Sequence, residues 1–543
     1  MILPYRFLLL SVLIAQTAAV GAQKKLIYTG WDSPTPAQFK TNLTAFEKYP
    51  FDGTTVQTTR KLANGKEVDS KNAFINERWN SSEFESTIAD LKAAHPRTAK
   101  DNFLILNANP GNVDWFDDSG WKEIVNHWRL LARTAKQGGL RGILFDAEPY
   151  TPPFEQFSYG KQSGSSRWSF TLYSSKARQR GREVMRAIAA EYPDITIYSY
   201  RLFCDILPSS GGDAQQILPV HSYGLLPAFV NGWLDAAAPG VTIIEGDENA
   251  YSYNSVAQFD RAYTRLKTET LLLIAPENRV KFKAQYQISH GIYLDAHSNP
   301  PTSPWYIDPL GGTSGARLKA NVSAALRSAD EYVWVYGETA RWWQNGNPAY
   351  PLWSDKISGA DTAIRLAKDP VSAARERLKN YKQADNLLLN PGFDNAKGEQ
   401  PAEWWFWQDE KSYGKYLRVD DMGVTAKGAA CINGAENACF GQDLKVSPGK
   451  DYAVSMKARQ TGNGAASMTI RWRDAAGKWT ATDEDVVIIQ SSIKTSSPWR
   501  EWIGVVHVPA GAATMVVLVG VQGQKSEQDK VWFDDVAVVT IEN

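Results

Sequence analysis

Residues 121–150 read WKEIVNHWRLLARTAKQGGLRGILFDAEPY. Trp121–Lys136 has the apolar spacing of an amphipathic helix, and Gly142–Phe145 is a short apolar run that ends in carboxylates. One helix feeding one buried strand is the repeating step of an alternating α/β fold. The step recurs in both directions. Upstream lie the runs Lys25–Thr29, Gly53–Val56 and Phe103–Leu106; downstream lie Ile195–Ser199, Val241–Ile244, Gly291–Leu294 and Tyr332–Tyr336. Helical patterns at Ser175–Tyr192, Ser255–Leu273 and Ala316–Ala329 separate several of them. Eight such units predict an α/β fold, a (β/α)8 TIM barrel, over residues 23–385. A doubly wound sheet is the alternative, but no Gly-rich phosphate turn follows the first strand.

After a closing helical stretch, Val371–Gln383, the texture changes at Asn386. Short alternating runs between Gly, Asn and Pro turns predict an all-β domain, a jelly roll or β-sandwich, over residues 386–543.

Composition narrows the partners. The 543 residues carry 59 basic and 59 acidic side chains, so the basic footprint of a nucleic-acid binder is missing. The chain is rich in aromatics, with 20 Trp, 23 Tyr and 20 Phe, which suits stacking against flat ligands such as sugar rings. The opening MILPYRFLLLSVLIAQTAAVGA reads as a secretory signal peptide, residues 1–22, and predicts a secreted, periplasmic or extracellular protein. No later apolar run is long enough to span a bilayer, so no membrane partner is expected once the signal is removed. Three cysteines make neither a disulfide scaffold nor a zinc site; Cys431 and Cys439 suggest a local disulfide, and Cys204 a buried thiol.

In a parallel barrel the chemistry sits at the carboxyl ends of the strands. There the sequence places Trp31, Asn107, Asp146, Glu148, Tyr200, Arg201, Glu245, Asp247, Asp295, Glu338 and Arg341, with Trp342 and Trp343 close behind. Asp146 and Glu148, two apart at a strand end, point to one side, where each influences the other's protonation. Glu338, beside Arg341 and the two tryptophans, reads as a second carboxylate over an aromatic floor, and Glu245 and Asp247 belong to an acidic cluster, EGDEN, 245–249. No Gly-x-Ser-x-Gly elbow, P-loop or His-Glu-x-x-His helix occurs, and neither a metal centre nor an organic cofactor is expected in the barrel.

GILFDAEPY, 142–150, resembles the fourth-strand Asp-x-Glu of chitinase-like glycoside hydrolases, and its Glu-Pro is similar to that of the large retaining hydrolase clan. It lacks the upstream aspartates of the first, and Ala147 stands where the second has Asn. Both resemblances imply that Glu148 is the acid/base. NLLLNPGFDN, 386–395, PGKDYAVSMKAR, 448–459, and VWFDDVAVV, 531–539, resemble strands of the jelly-roll carbohydrate-binding modules appended to xylanases and laminarinases. That resemblance implies aromatic sugar contacts and a structural calcium.

The resulting expectation is a glycoside hydrolase of a polysaccharide or oligosaccharide. Glu148 is the acid, Glu338 its first-choice partner, and Asp146 and Glu245 come next. Trp31, Asn107, Tyr200, Arg201, Asp247, Asp295, Arg341, Trp342 and Trp343 are the expected substrate contacts. A carboxyl separation of roughly 5–5.5 Å would mean retention and roughly 6.5–9.5 Å inversion. A polysaccharide lyase using Tyr200, Arg201 and His221, and a carbohydrate-binding protein without catalysis, are the alternatives.

Overall fold

The computed structural model describes residues 24–541 except 112, 151–154, 208–212, 344–349, 411, 425–427, 482–483 and 493–497. The expected signal segment lies outside the described residues. The first part is one parallel sheet of nine strands: β1 (Lys25–Gly30), β2 (Gly53–Val56), β3 (Phe103–Asn107), β4 (Gly142–Asp146), β5 (Thr196–Ser199), β6 (Thr242–Glu245), β7 (Tyr286–Ile288), β8 (Gly291–Tyr293) and β9 (Tyr332–Gly337). Their spatial order is β8-β9-β1-β2-β3-β4-β5-β6-β7. The two ends of that order, β7 and β8, are pieces of one chain segment separated by Ser289 and His290. β7 pairs with β6 and β8 with β9. The sheet is therefore strongly curled, as right-handed strand twist demands of a helix-covered parallel sheet. The sequence pattern found only the second piece of this segment.

Helices cover the outside: α1 (Pro36–Phe46), α2 (Glu85–Ala94), α3 (Asp118–Gln137), α4 (Phe170–Glu191), α5 (Leu226–Ala236), α6 (Val256–Thr268) and α7 (Ser314–Ser328). α3 starts on Asp117, whose carboxylate accepts the N–H groups of Ser119 and Gly120, satisfying donors that a helix start leaves free. Its buried side, including Trp121, Ile124, Trp128 and Leu131, packs with Phe74, Phe145 and Trp233 between sheet and helices.

The concave side of the sheet holds a separate core of Ile27, Phe103, Leu144, Tyr198, Tyr200, Ile244, Tyr332 and Trp334. Because side chains alternate along a strand, these residues fix which neighbours face inward. Thr29, Asn107, Asp146, Tyr336 and Glu338 share their parity; Tyr28, Glu245 and Val335 take the opposite one.

Two further helices, α8 (Ala360–Lys368) and α9 (Pro370–Lys379), lead into the antiparallel part. It has two five-stranded sheets. The first runs β10 (Trp405–Gln408), β13 (Asn437–Lys445), β18 (Thr514–Gln522), β15 (Ala465–Arg473), β16 (Val486–Ser492). The second runs β11 (Lys415–Asp420), β12 (Gly428–Asn433), β19 (Lys530–Ile541), β14 (Asp451–Thr461), β17 (Arg500–His507). The inner faces bury Phe440, Val454, Met468, Trp472, Val519 and Phe533 among others. The outer face of the second sheet, through Ala453, Ile503, Val505 and Ile541, packs on Leu366, Ala374 and Leu378 of α8 and α9. Lys319 of α7 adds an ion pair to Asp451 at 2.5 Å.

All three cysteines are free thiols, so the expected Cys431–Cys439 disulfide does not form. Their strands lie in different sheets. Ala430 and Ile432 point into the core, as do Ala438 and Phe440, so both thiols face outward on opposite sides of the sandwich.

Candidate active site

The carboxyl ends of the parallel strands form a mouth lined by acids, tyrosines and a few cations. Asp146 ends β4 and is buried. Its carboxylate accepts the N–H of Glu148 at 2.9 Å and the hydroxyl of Tyr150 at 2.6 Å. Burial pushes its pKa up to about 6 even though both bonds favour the charge. The turn that these bonds tie presents Glu148 at the mouth, with its side chain 33% exposed.

Arg201, just past β5, faces Glu148 at 3.9 Å but is already committed elsewhere. Its guanidinium forks onto Glu248, Nε at 2.9 Å and Nη2 at 2.7 Å, and Nη1 donates to Asp205 at 2.8 Å. Burial pushes Glu248 up to about 7 against the pull of Arg201. Glu248, named in the sequence only as part of an acidic cluster, is thus a wall of the mouth.

Glu338 reaches the mouth from the end of β9. Tyr293 and Tyr336 hydrogen-bond its carboxylate, while Asp295 and Glu148 act on it as nearby negative charges. Burial is the largest influence and raises its pKa above the ordinary carboxylate range. Asp295 is buried below it, accepting the Glu338 N–H at 2.8 Å and the Thr339 hydroxyl, with Lys356 at 3.8 Å. An aromatic wall continues the surface. Tyr251 stacks on Tyr293 with centroids 4.9 Å apart, and Tyr200 stacks on Trp334 at 4.4 Å. The Tyr200 hydroxyl bonds Thr29 at 2.5 Å inside the sheet. Asn107, in register with Asp146, is buried, and its Oδ1 has no partner among the described residues.

Four other expected site residues turn away from the mouth, and Arg341 lies with them. Glu245 has the opposite strand parity to Ile244 and is fully buried on the helix side. It accepts the N–H groups of Leu202 at 3.0 Å and Phe203 at 2.6 Å, and the Tyr286 hydroxyl at 3.3 Å. Burial pushes its pKa up to about 7. Asp247 is buried against His290, 2.8 Å from Nδ1. Arg341 does not hold the Glu338 carboxylate: it lies 3.6 Å from Asp32 and donates to the Glu338 and Ala340 carbonyls at 3.1 and 2.9 Å. Trp342 is 2% exposed among Tyr28, Tyr49 and Phe51, and Trp343 packs on Phe46 and Tyr49. Trp342 is core and Trp343 packs half-buried against that core, because the chain just beyond β9 folds back onto α1.

The exposed aromatics here are Trp31, Tyr150 and Trp305. Trp305 had no sequence signal beyond a Pro-rich loop.

No protein-family model matches the chain, and no curated protein is significantly similar to it. Among solved structures, the enzymatically active domain of bacteriophage CBA120 tailspike protein 4 is 17% identical over 29% of this chain, with a TM-score of 0.23. The chain covers 22% of that domain's length. The carbohydrate-binding module TmCBM61, solved with beta-1,4-galactotriose, is 15% identical over 29% of this chain and 99% of its own, with a TM-score of 0.21. The CBM22-1 and GH10 modules of Clostridium thermocellum endo-1,4-beta-D-xylanase 10B, complexed with xylohexaose, are 14% identical over 29% of this chain and 28% of theirs, at 0.22. Likenesses of this extent leave the chemistry of the mouth to its own residues.

Proposed function

We propose that the chain is a glycoside hydrolase whose acid–base pair is Glu148 and Glu338. The observation that carries this reading is their placement: both stand at the mouth of the curled sheet, and each lies within electrostatic reach of the other. Glu148 protonates the glycosidic oxygen. Glu338, oriented by Tyr293 and Tyr336, attacks the anomeric carbon or activates water. Asp146 fixes the turn that aims Glu148. The proposed frame is a closed eight-unit barrel in which the whole segment from Tyr286 to Tyr293 serves as the seventh strand.

The cations favour a hydrolase over a lyase. A lyase acting on a uronate needs a free cation to neutralise the sugar carboxylate. Arg201 is held by Glu248 and Asp205, Arg341 faces Asp32, and Lys356 faces Asp295. Of the other two lyase candidates, Tyr200 has its hydroxyl on Thr29, and His221 Nδ1 accepts the Tyr223 N–H at 3.0 Å. The substrate we propose is therefore an uncharged glycan, met outside the cell. Among the described residues no helix is long and apolar enough to cross a membrane.

For the sandwich we propose sugar contacts through Trp405 and Trp407 on the open face of the first sheet. Their rings are exposed, and that of Trp405 lies over Gly441, where any side chain would meet it. The structural calcium implied for such modules would have to rest on the pair Asp394 and Asp534, because no group of three or more His, Cys, Asp or Glu suited to a metal occurs among the described residues. Both carboxylates face the space beside Gly392, and Asp534 is buried with no lysine or arginine paired to it among the described residues.

A digest of neutral glycans tests the hydrolase reading. Glu148→Gln should lose turnover on natural glycans yet cleave aryl glycosides whose leaving group needs no proton, whereas Glu338→Gln should lose both. New double bonds absorbing in the near ultraviolet, or silence across the panel, would overturn it.

A further inference from the structure

Trp31 follows β1 and is 66% exposed, although its indole N–H is engaged by the Tyr336 hydroxyl. Trp305, in the loop after β8, is 49% exposed. That loop is well tied: Asn299 donates to the Trp305 carbonyl at 2.8 Å, the Trp305 N–H donates to Ser303 Oγ at 3.1 Å, and the Ile307 N–H reaches the Ala296 carbonyl at 2.9 Å. The indole of Trp305 stands nearly perpendicular to Tyr251 and Tyr293, 6.1 Å from each. Water-exposed indoles held in this way offer large apolar area that a ligand ring would bury.

The two tryptophans are linked through the tyrosines that hold Glu338. Trp31 bonds Tyr336, Tyr336 lies 5.9 Å from Tyr293, and Tyr293 lies 6.1 Å from Trp305. Both tyrosines hydrogen-bond the Glu338 carboxylate. Glu338 therefore stands between an exposed indole on the β1 side and another on the β8 side.

We infer that Trp31 and Trp305 are stacking platforms for two pyranose rings of one glycan, on either side of Glu338, so that the mouth takes an extended neutral oligosaccharide and cuts within it. The inference rests on the proposed role of Glu338 only for the cutting; the platforms themselves are a binding claim. A sugar seated on either indole is coupled to Glu338 through one tyrosine.

Titration calorimetry on the full-length Glu148→Gln chain with cellohexaose, xylohexaose, mannohexaose and chitohexaose tests it, with Trp31→Ala, Trp305→Ala and Trp407→Ala added singly. At least one hexasaccharide should bind. Each of the first two substitutions should weaken it tenfold or more, and Trp305→Phe should restore most of the loss. Failure of all four sugars to bind, or binding weakened only by Trp407→Ala, overturns the platforms. Binding through Trp31 and Trp305 without new reducing ends from the wild type would sink the hydrolase and keep the platforms. Hydrolysis insensitive to both indoles would do the reverse.

Discussion

Glu148 and Glu245 lie at the ends of strands that flank β5, and each follows an apolar strand run. One reaches the mouth with a third of its side chain exposed; the other is sealed on the helix side with its oxygens on three backbone N–H groups, those of Leu202, Phe203 and Asp247. The difference is strand parity. Glu148 follows Asp146, which shares the inward parity of Leu144, whereas Glu245 follows the inward Ile244 and so faces out. A carboxylate at the end of a parallel strand thus either reaches the mouth or clamps the backbone, according to one step of alternation.

The sharpest way to break this contrast is to neutralise each glutamate. Glu148→Gln should reduce turnover by about 10²–10⁴-fold, the usual range for a lost general acid, with no shift in thermal midpoint. Glu245→Ala should do the opposite, lowering stability by about 3 kcal/mol because three buried N–H groups lose their acceptor, while turnover per folded molecule is kept. Scanning calorimetry beside steady-state kinetics separates the two, and a Glu245→Ala chain that is stable but inactive would reverse the assignment.

A smaller effect contrasts the parallel part with the sandwich. Asp146 and Glu245 have pKa values raised by burial to about 6 and about 7. Groups raised in the folded state contribute most below their unfolded values and lose that contribution as pH rises through 6 to 7. At Asp451 burial works against the charge, yet His507 and Lys319 prevail and hold its carboxyl below the ordinary value. Its contribution is present above about pH 4 and fades only in stronger acid. The transition of the parallel part should therefore move down between pH 5 and pH 8, which scanning calorimetry across that window checks. The smallest expected effect is that of reductant: with Cys431 and Cys439 on opposite outer faces, dithiothreitol should leave the unfolding curve unchanged.

Legibility followed the same division. In the sandwich, runs such as Ala465–Arg473 alternate between core and surface, so an all-β reading needs only a count of two. In the parallel sheet both faces are apolar, and Ile243-Ile244-Glu245 gives no sign of which isoleucine faces inward. That is why the sequence alone groups Glu245 and Asp247 with Glu148, Glu338 and Arg201 at the mouth. Trp342 and Trp343 misled for a different reason: an aromatic pair beside a carboxylate looks the same whether the chain crosses the mouth or folds back onto α1. Tyr293, Tyr336 and Trp305 were hidden because their relation to Glu338 is made across strands and loops far apart in sequence.

One feature of the junction reaches beyond either part. After α9 only a few residues intervene before Leu387 bonds to the Val538 carbonyl, and Ile503, Val505 and Ile541 press on the last helices. The sandwich hangs on no leash. A tethered module would roam as far as its linker allows; here the offset between the open tryptophan face and the mouth is a constant of the molecule, and on the function proposed above it would act as a built-in ruler for a glycan that touches both.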